Sequence, residues 1–473
     1  MKLIKAKVIL KIKSKLDKAG TFGLIMDGWS QDSEHFLSIF ASFMEDGFVR
    51  EPLLSCCVQE DISDEIAFDQ VHQADEDKVF GLTAADMFDI IMAVLTFDYD
   101  IQVPTGNFVE GIQQKEPINA FNCNKVLQYY GLDNCSTNRK LSNDSEVAMV
   151  GCKGHVLHLG VEEFIGPEER KNARGQITQQ DSECRKLLKK TDKLMGELTT
   201  IKNSAKLRSK TDVTPQRMNK TRWSSKFNLA LQWTLLREAI GQIDSFSDHV
   251  LNLIPTAGEH HYILTLLTHL KIFESVSKAL QSGGTERKTL ADARVLFDGL
   301  IKYVEEIDRN DPFYGASIDH LKTNHEIVNN PDFENGIIKI QNGQENALTR
   351  EEKSAVRIFL KPVAPIVPEI QAEAPDQNGA GFAADLLRRA HEDKRRRLAT
   401  SKYQDVTHVS PTTVINERLF SNCRVIMNHL RKNMDPDSLE LLVFLKINSE
   451  YWRDAKIIDE IIAENRTEED DEN

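Results

Sequence analysis

Long apolar runs are the first thing missing from this 473-residue chain. Its best stretches, "FLSIFASFM" and "DIIMAVLTF", have strand and short-helix lengths and fall well short of the ~18 residues a membrane-spanning helix needs. No transmembrane segment is expected. The lysine-rich start, "MKLIKAKVILKIKSKLDKAG", lacks the continuous apolar region of a secretory signal and contains no arginine, against the bias of a mitochondrial address. It reads as a basic amphipathic helix over 1–20. Cysteine is sparse and odd in number, seven in all, and no C-x-x-C pair occurs. A disulfide framework and a structural zinc site are therefore not expected, and a reducing compartment fits. Positive charge is short overall: 59 Lys and Arg against 73 Asp and Glu give −14, which argues against a chain that coats nucleic acid with its whole surface. No internal repeat of fixed period is present.

The chain is too long for one ordinary core, because domains cluster near ~100–150 residues, so two or three globular units are expected. Between Phe22 and Gln59 three strand-like segments follow at short spacing, "FGLIMDG", "HFLSIFASFM" and "FVREPLLSCCVQ", the last with Pro52 at an edge or bulge position. They predict an antiparallel meander. "TAADMFDIIMAVLTF" predicts a helix over 83–97 capped by Thr83. Strand-to-helix junctions follow at "VLQYYGLDNCSTNRKL" and at "VAMVGCKGHVLHLGVEEFI", the second turning through Gly151. From about 182 onward the apolar spacing is helical, with "PDFENG" and "QNGQEN" (331–345) reading as loop and "APDQNGAGF" (374–382) as linker. "SPTTVINERLFSNCRVIMNHLRKNMDPDSLELLVFLKINSEYW" predicts two closing helices. Thr412 or Thr413 caps the first, whose apolar stripe is Ile415, Leu419, Cys423, Ile426 and Leu430, and Asp435-Pro436 starts the second. The basic block "LLRRAHEDKRRRLATSK" (386–402) reads either as a nuclear import signal or phosphate contact, or as a solvated helix face. The final "RTEEDDEN" is an acidic tail.

Asp27 and Asp133 each close a β-like run just before small or polar residues. If those strands are neighbours, both carboxylates emerge at one sheet edge. Glu417 lies off the apolar stripe of its helix. Two aspartates joined by a glutamate form a hard, all-oxygen set suited to Mg²⁺ or Mn²⁺, and two such ions can support phosphoryl transfer. Taken singly, a strand-end aspartate is also a common turn or cap residue.

Together these residues resemble the hAT (hobo/Activator) DNA transposases and proteins domesticated from them. "GLIMDGWS" resembles the strand of that family's first catalytic aspartate and "GLDNCSTN" the second. "GCKGHVLHL" is similar to its C-x-x-H segment through Cys152 and His155, "KTRWSSKF" to its R-W motif through Arg222 and Trp223, and "SPTTVINERLFS" to the signature whose glutamate, here Glu417, completes a D-D-E set. Order and separation agree along essentially the whole chain.

The resemblance implies an α/β (α+β) fold: an RNase H-like mixed-sheet core interrupted by a large all-helical insertion, with C-terminal helices completing the core. It further implies catalysis by Asp27, Asp133 and Glu417 on two Mg²⁺ or Mn²⁺ ions. It makes Arg222 and Trp223 DNA contacts, with Trp223 stacking on a flipped base, and Cys152 and His155 part of the active-site wall. DNA as partner, self-association through 405–465 and a nuclear location follow in the same way. The corresponding layout is a leading helix at 1–20, the first part of the core at 21–235, the insertion and linker at 236–404, the C-terminal core and dimerisation region at 405–465 and the tail at 466–473. Family members usually carry an N-terminal recognition module, often a BED-type zinc finger, before the first catalytic strand. Only about twenty residues precede it here. The expectation is a truncated or domesticated copy: either a DNA strand-cleaving and joining enzyme, or a non-catalytic nuclear dimer that associates with DNA or other partners.

Overall fold

The computed structural model describes residues 1–31, 34–58, 83–101, 126–172, 174, 176–219, 223–283, 287–361, 401–427 and 434–453. Along the chain the elements are α1 (Lys2–Ala19), β1 (Thr21–Gln31), β2 (Glu34–Glu45), β3 (Phe48–Arg50), β4 (Leu53–Val58), α2 (Ala84–Ala93), β5 (Val126–Leu132), α3 (Ser136–Ser145), β6 (Met149–Gly151) and α4 (Lys153–Ile165). A small hairpin follows, β7 (Arg170–Lys171) with β8 (Ile177–Gln179), then α5 (Glu183–Leu198), α6 (Ile201–Arg208), α7 (Ser224–Gly241), α8 (Asp248–Leu253), α9 (Ala257–Leu280) and α10 (Leu290–Glu305). The last are α11 (Pro331–Gln341), α12 (Arg350–Ala355), α13 (Val414–Ile426) and α14 (Pro436–Ile447). The fold is mixed α and β. It divides into two compact units, one built from 1–152, 289–291 and 328–473, the other from 153–288 and 292–327.

The first unit is organised on a mixed sheet in the order β3-β2-β1-β5-β6, with β4 also on β2. β1 pairs antiparallel with β2 and parallel with β5, and β5 pairs parallel with β6. Asp46 and Gly47 join β2 to β3, both at positive φ (51° and 81°), the tight-hairpin conformation that matches strand twist. Pro52 divides the expected third strand into β3 and β4, as a residue without an N–H must, and its carbonyl accepts from Ala41 N at 3.1 Å. One side of the sheet is covered by α1, whose Val8, Ile12 and Leu16 recur every four residues and are fully buried. Each such side chain contributes about 1.5–3 kcal/mol on burial.

Side chains close the two sheet edges where, among the described residues, no further strand pairs. At β6, Asn330 Oδ1 accepts from Met149 N at 2.8 Å and Glu334 Oε1 from Gly151 N at 3.1 Å. At β4, the Asn448 amide donates to Leu53 O at 2.8 Å and accepts from Leu53 N at 3.1 Å. Both devices satisfy backbone groups that would otherwise recruit another strand.

The 331–345 stretch, expected as loop, is helical over α11. Pro331 occupies the first turn, Phe333, Ile337 and Ile340 share the buried face, and Gly336 packs where an added Cβ would lie 2.5 Å from Val356 Cγ1. The glycine permits close helix packing and does not mark a turn. The expected 374–382 linker, most of the 386–402 block, Leu430 and the acidic tail lie outside the described residues.

The second unit is almost wholly helical. The sequence places the change of unit at 235/236, whereas the units divide after Cys152. The reason is packing: Phe164 of α4, Leu188, Leu194 and Leu198 of α5 and Trp233 of α7 share one core with Phe273 of α9 and Phe297 of α10. Buried charge is neutralised inside it. Glu162 receives Lys226 Nζ at 2.5 Å and Arg185 Nη2 at 3.0 Å, and Arg185 is only 9% exposed in its side chain.

Candidate functional site

The β1–β5 ladder decides where the two aspartates stand. Leu24 is level with Tyr130 and Ile25 with Gly131. The paired residues end there; the same register continued two residues further sets Asp27 opposite Asp133, which lies one position past the end of β5. Level residues on neighbouring strands lie about 5 Å apart and project to the same face. Both aspartates are half-buried. Asp27 Oδ1 accepts from Gly28 N at 2.9 Å. Asp133 Oδ1 accepts from Asn138 Nδ2 in a short bond, and from Cys135 N at 3.4 Å, which fixes it over the start of α3. The Cys135 thiol is pushed up to about 11, first by burial of the sulfur and then by the Asp133 charge.

Glu417, also half-buried, sits in the first turn of α13, and the segment before that helix is pinned across the sheet. Ser42 Oγ donates to His408 O at 2.8 Å and Tyr129 OH to the same oxygen at 2.7 Å. Ser410 N donates to Tyr129 OH at 3.2 Å, and His408 Nε2 lies 2.9 Å from Gln128 Oε1. A register shift in the β1–β5 ladder, between Phe22/Leu127 and Leu24/Tyr130, lets the adjacent Gln128 and Tyr129 both reach this segment. Tyr129 crosses directly over Gly23, where an added Cβ would fall 2.0 Å from its ring.

The pinning continues to the helix itself. Thr413 N donates to Cys152 Sγ at 3.3 Å, and Ser38 Oγ lies 2.9 Å from Asn416 Oδ1 and 3.1 Å from Asp27 O. Ser38 is the β2 partner of Asp27. Glu417 therefore follows directly on a residue tied to the position of Asp27. Trp29 adds an aromatic clamp, with ring centroids 5.1 Å from Phe36 and 5.7 Å from Phe420 of α13.

Thr413 occupies the N-cap position of α13, yet the expected capping bond is absent. Its φ and ψ of −95° and 20° are not the extended values that carry a hydroxyl over the helix start, and its buried Oγ1 has no hydrogen-bond partner among the described residues. Thr83 does cap α2, in a reciprocal box with Asp86.

Asp27, Asp133 and Glu417 are thus carried to one end of the sheet in the first unit. Among the described residues, no three of His, Cys, Asp or Glu are gathered closely enough to hold a metal ion. Cys152 is buried just past β6, where its sulfur accepts from Thr413. His155 and Trp223 belong to the second unit. His155 is half-buried on α4, and Trp223, 5% exposed, packs in the helical core with its backbone N–H donating to His158 Nδ1 at 3.2 Å. In this conformation the indole is not presented for stacking. Arg222 lies outside the described residues. Residues the sequence reading overlooked are Ser38, Ser42, Tyr129, Asn138 and Asn416. Two serines four apart on one face of an otherwise apolar strand were the available signal. No protein-family model matches the chain, and no curated protein matches it.

Proposed function

We propose that the first unit is an RNase H-like polynucleotidyl-transferase core of the hAT transposase type, acting on DNA phosphodiesters. The observation that carries the reading is the placement of Asp27 on β1 and of Asp133 just past the end of the adjacent parallel strand β5, with Glu417 following a residue tied to the Asp27 position. The mixed strand order, three parallel strands continued by antiparallel neighbours, supports it further.

The donor set fits a hard divalent cation, since all three groups offer carboxylate oxygens. Asp27, Asp133 and Glu417 would hold Mg²⁺ or Mn²⁺, which when bound supplies Lewis acidity at a phosphodiester. The chain's own contribution is positional. Asn138 orients Asp133, the β1–β2 ladder fixes Asp27, and the pinned 408–416 segment sets the start of the Glu417 helix. DNA as substrate, self-association through 405–465 and a nuclear location belong to the same proposal.

The test is incubation of the full chain with Mg²⁺ or Mn²⁺ and end-labelled duplex DNA. Nicking or hairpin products that vanish in Asp133→Ala support the proposal. Absence of products, or products unaffected by the substitution, overturns it.

A further inference from the structure

We infer that the outward face of 350–361, with Lys402 beside it, is a docking surface for the phosphate backbone of nucleic acid, carried by Arg350, Lys353, Arg357 and Lys402; the inference rests on DNA being the partner of the proposed core. The first segment is α12 followed by a 3-10 turn, Arg357–Phe359. Its inward side is Glu352, Val356 and Phe359, all buried, with the Glu352 carboxylate neutralised by Lys339 Nζ at 2.7 Å. At about 100° per residue, Arg350, Lys353 and Arg357 fall within about 60° of one another and off that side, over about 10 Å. All three are exposed. A second stretch of chain brings the fourth cation. Lys402, also exposed, ends the basic block read in the sequence at 386–402, and an antiparallel bridge between Leu360 and Tyr403 sets it beside the first segment. Lys361 N donates to Lys402 O at 2.9 Å and Gln404 N to Phe359 O at 2.8 Å.

None of the four cations has an acidic partner among the described residues. Lys361, whose Nζ donates to Ser401 O at 2.9 Å, is not counted with them. The one exposed acid of 350–361 is Glu351, turned about 100° from Arg350, and the nearby Glu345 receives Ser401 Oγ. In a chain of net charge −14 this face is a local reversal of sign. Two features favour nucleic acid over a lipid surface. The outward apolar side chains here are Ile358 and Leu360, 38% and 42% exposed, far short of the wide apolar face an interfacial helix buries. Two of the four cations are arginines, whose planar fork matches phosphate oxygens in pairs. The surface also lies on the unit that holds the carboxylates. Gln404 Oε1 accepts from Thr21 Oγ1 at 3.5 Å and from Gln128 Nε2 at 3.3 Å, so its 402 end meets the start of β1. Asp27 is six residues further along that strand, about 20 Å, a span of about six base pairs.

The experiment is a salt titration of labelled duplex DNA binding by fluorescence anisotropy, with the full chain and R350Q/K353Q/R357Q/K402Q. Each lost phosphate contact lowers the slope of log K against log salt by about 0.9, so the quadruple variant should lose about 3.6 and bind at least ~10-fold more weakly at low salt. The charge-keeping R350K/K353R/R357K/K402R should bind like the parent, and matching thermal melts exclude misfolding as the cause. K193Q/K202Q/R208Q/K210Q, which removes the same charge from exposed positions of the helical unit, should keep the parent slope. An unchanged slope in the first quadruple overturns the inference and leaves the proposed chemistry standing. So does an equal loss in the helical-unit quadruple, which marks diffuse attraction, or a loss confined to phosphatidylserine vesicles. A parent chain that binds no duplex at low salt overturns both this surface and DNA as substrate, whereas failure of cleavage alone, with the expected slopes, overturns only the catalytic proposal.

Discussion

Ser38 Oγ stands 2.9 Å from Asn416 Oδ1, in a contact that spans 378 residues and joins the strand partner of Asp27 to the helix that carries Glu417. Both residues are fully buried, and the same hydroxyl reaches Asp27 O. Substituting Ser38→Ala removes the hydroxyl that meets the Asn416 oxygen there. The expected cost is about 1–3 kcal/mol of stability, the penalty of leaving a buried polar group unpaired. Urea denaturation measures it. If the proposed chemistry holds, nicking should fall by more than the loss of folded protein explains, because the first turn of α13 is then held less firmly.

Gly23 and Tyr129 make a second sharp case. A methyl group at 23 would overlap the tyrosine ring, so Gly23→Ala should destabilise the protein by about 1–3 kcal/mol, as overpacking typically does. Tyr129→Phe tests the other half of the contact. It leaves His408 O with Ser42 as donor but strips Ser410 N of its acceptor, and should cost about 1–3 kcal/mol without any change in packing volume. Thermal melts of the two variants separate crowding from hydrogen bonding.

Cys135 reports on the charge at Asp133. Its thiol stands at about 11, raised by burial and by that carboxylate, so Asp133→Asn should lower it and speed alkylation by iodoacetamide at pH 8, read by peptide mass. A divalent cation on Asp133 acts in the same direction. Mg²⁺ or Mn²⁺ should accelerate labelling of Cys135 in the parent chain and have no effect in Asp133→Asn. Labelling indifferent to the metal in the parent argues against Asp133 as a ligand.

The helical unit should weaken in mild acid. His158 Nδ1 accepts from Trp223 N at 3.2 Å and His260 Nδ1 accepts from Trp233 Nε1 at 3.1 Å, so both rings are needed unprotonated at that atom. Burial lowers the His158 pKa, with Lys226, His155 and Arg185 adding to it and Glu162 opposing. Burial also lowers that of His260, aided by Arg237 and His261. As pH falls through the unfolded value of ~6.5, the unfolded chain takes up protons first, so stability is full above that pH and declines below it. Melting temperatures at pH 8 and pH 5 check the sign. H158Q/H260Q, which keeps an acceptor that does not titrate, should flatten the difference.

Much of the sheet was legible because strands bounded by turns leave local marks. "FGLIMDG" and "HFLSIFASFM" each act over a few residues and match β1 and β2, whereas Pro52, expected at an edge or bulge position of one third strand, separates β3 from β4. The α2 cap at Thr83 and the α14 start at Asp435-Pro436, where Asp435 accepts from Ser438 N at 3.1 Å, are local in the same sense. The 331–345 stretch misled because Pro, Asn and Gly mark turns on average, whereas here they serve a helix start and a close helix contact. Thr413 misled because a cap depends on backbone angles that residue type does not set.

The unit boundary and the geometry of the site were decided elsewhere. Whether α4, α5 and α7 join the sheet or a separate helical core depends on which apolar faces meet, and amphipathic spacing is silent on that. The chain by itself determined the strands, most of the helices and the three carboxylates at their ends. Only the tertiary structure decided that the β1–β5 register sets Asp27 opposite Asp133, and that Ser38 and Tyr129 hold the segment leading to Glu417. Those relations are set by ladder register and by hydrogen bonds between residues hundreds of positions apart, whose partners exist for one another only after the sheet has formed.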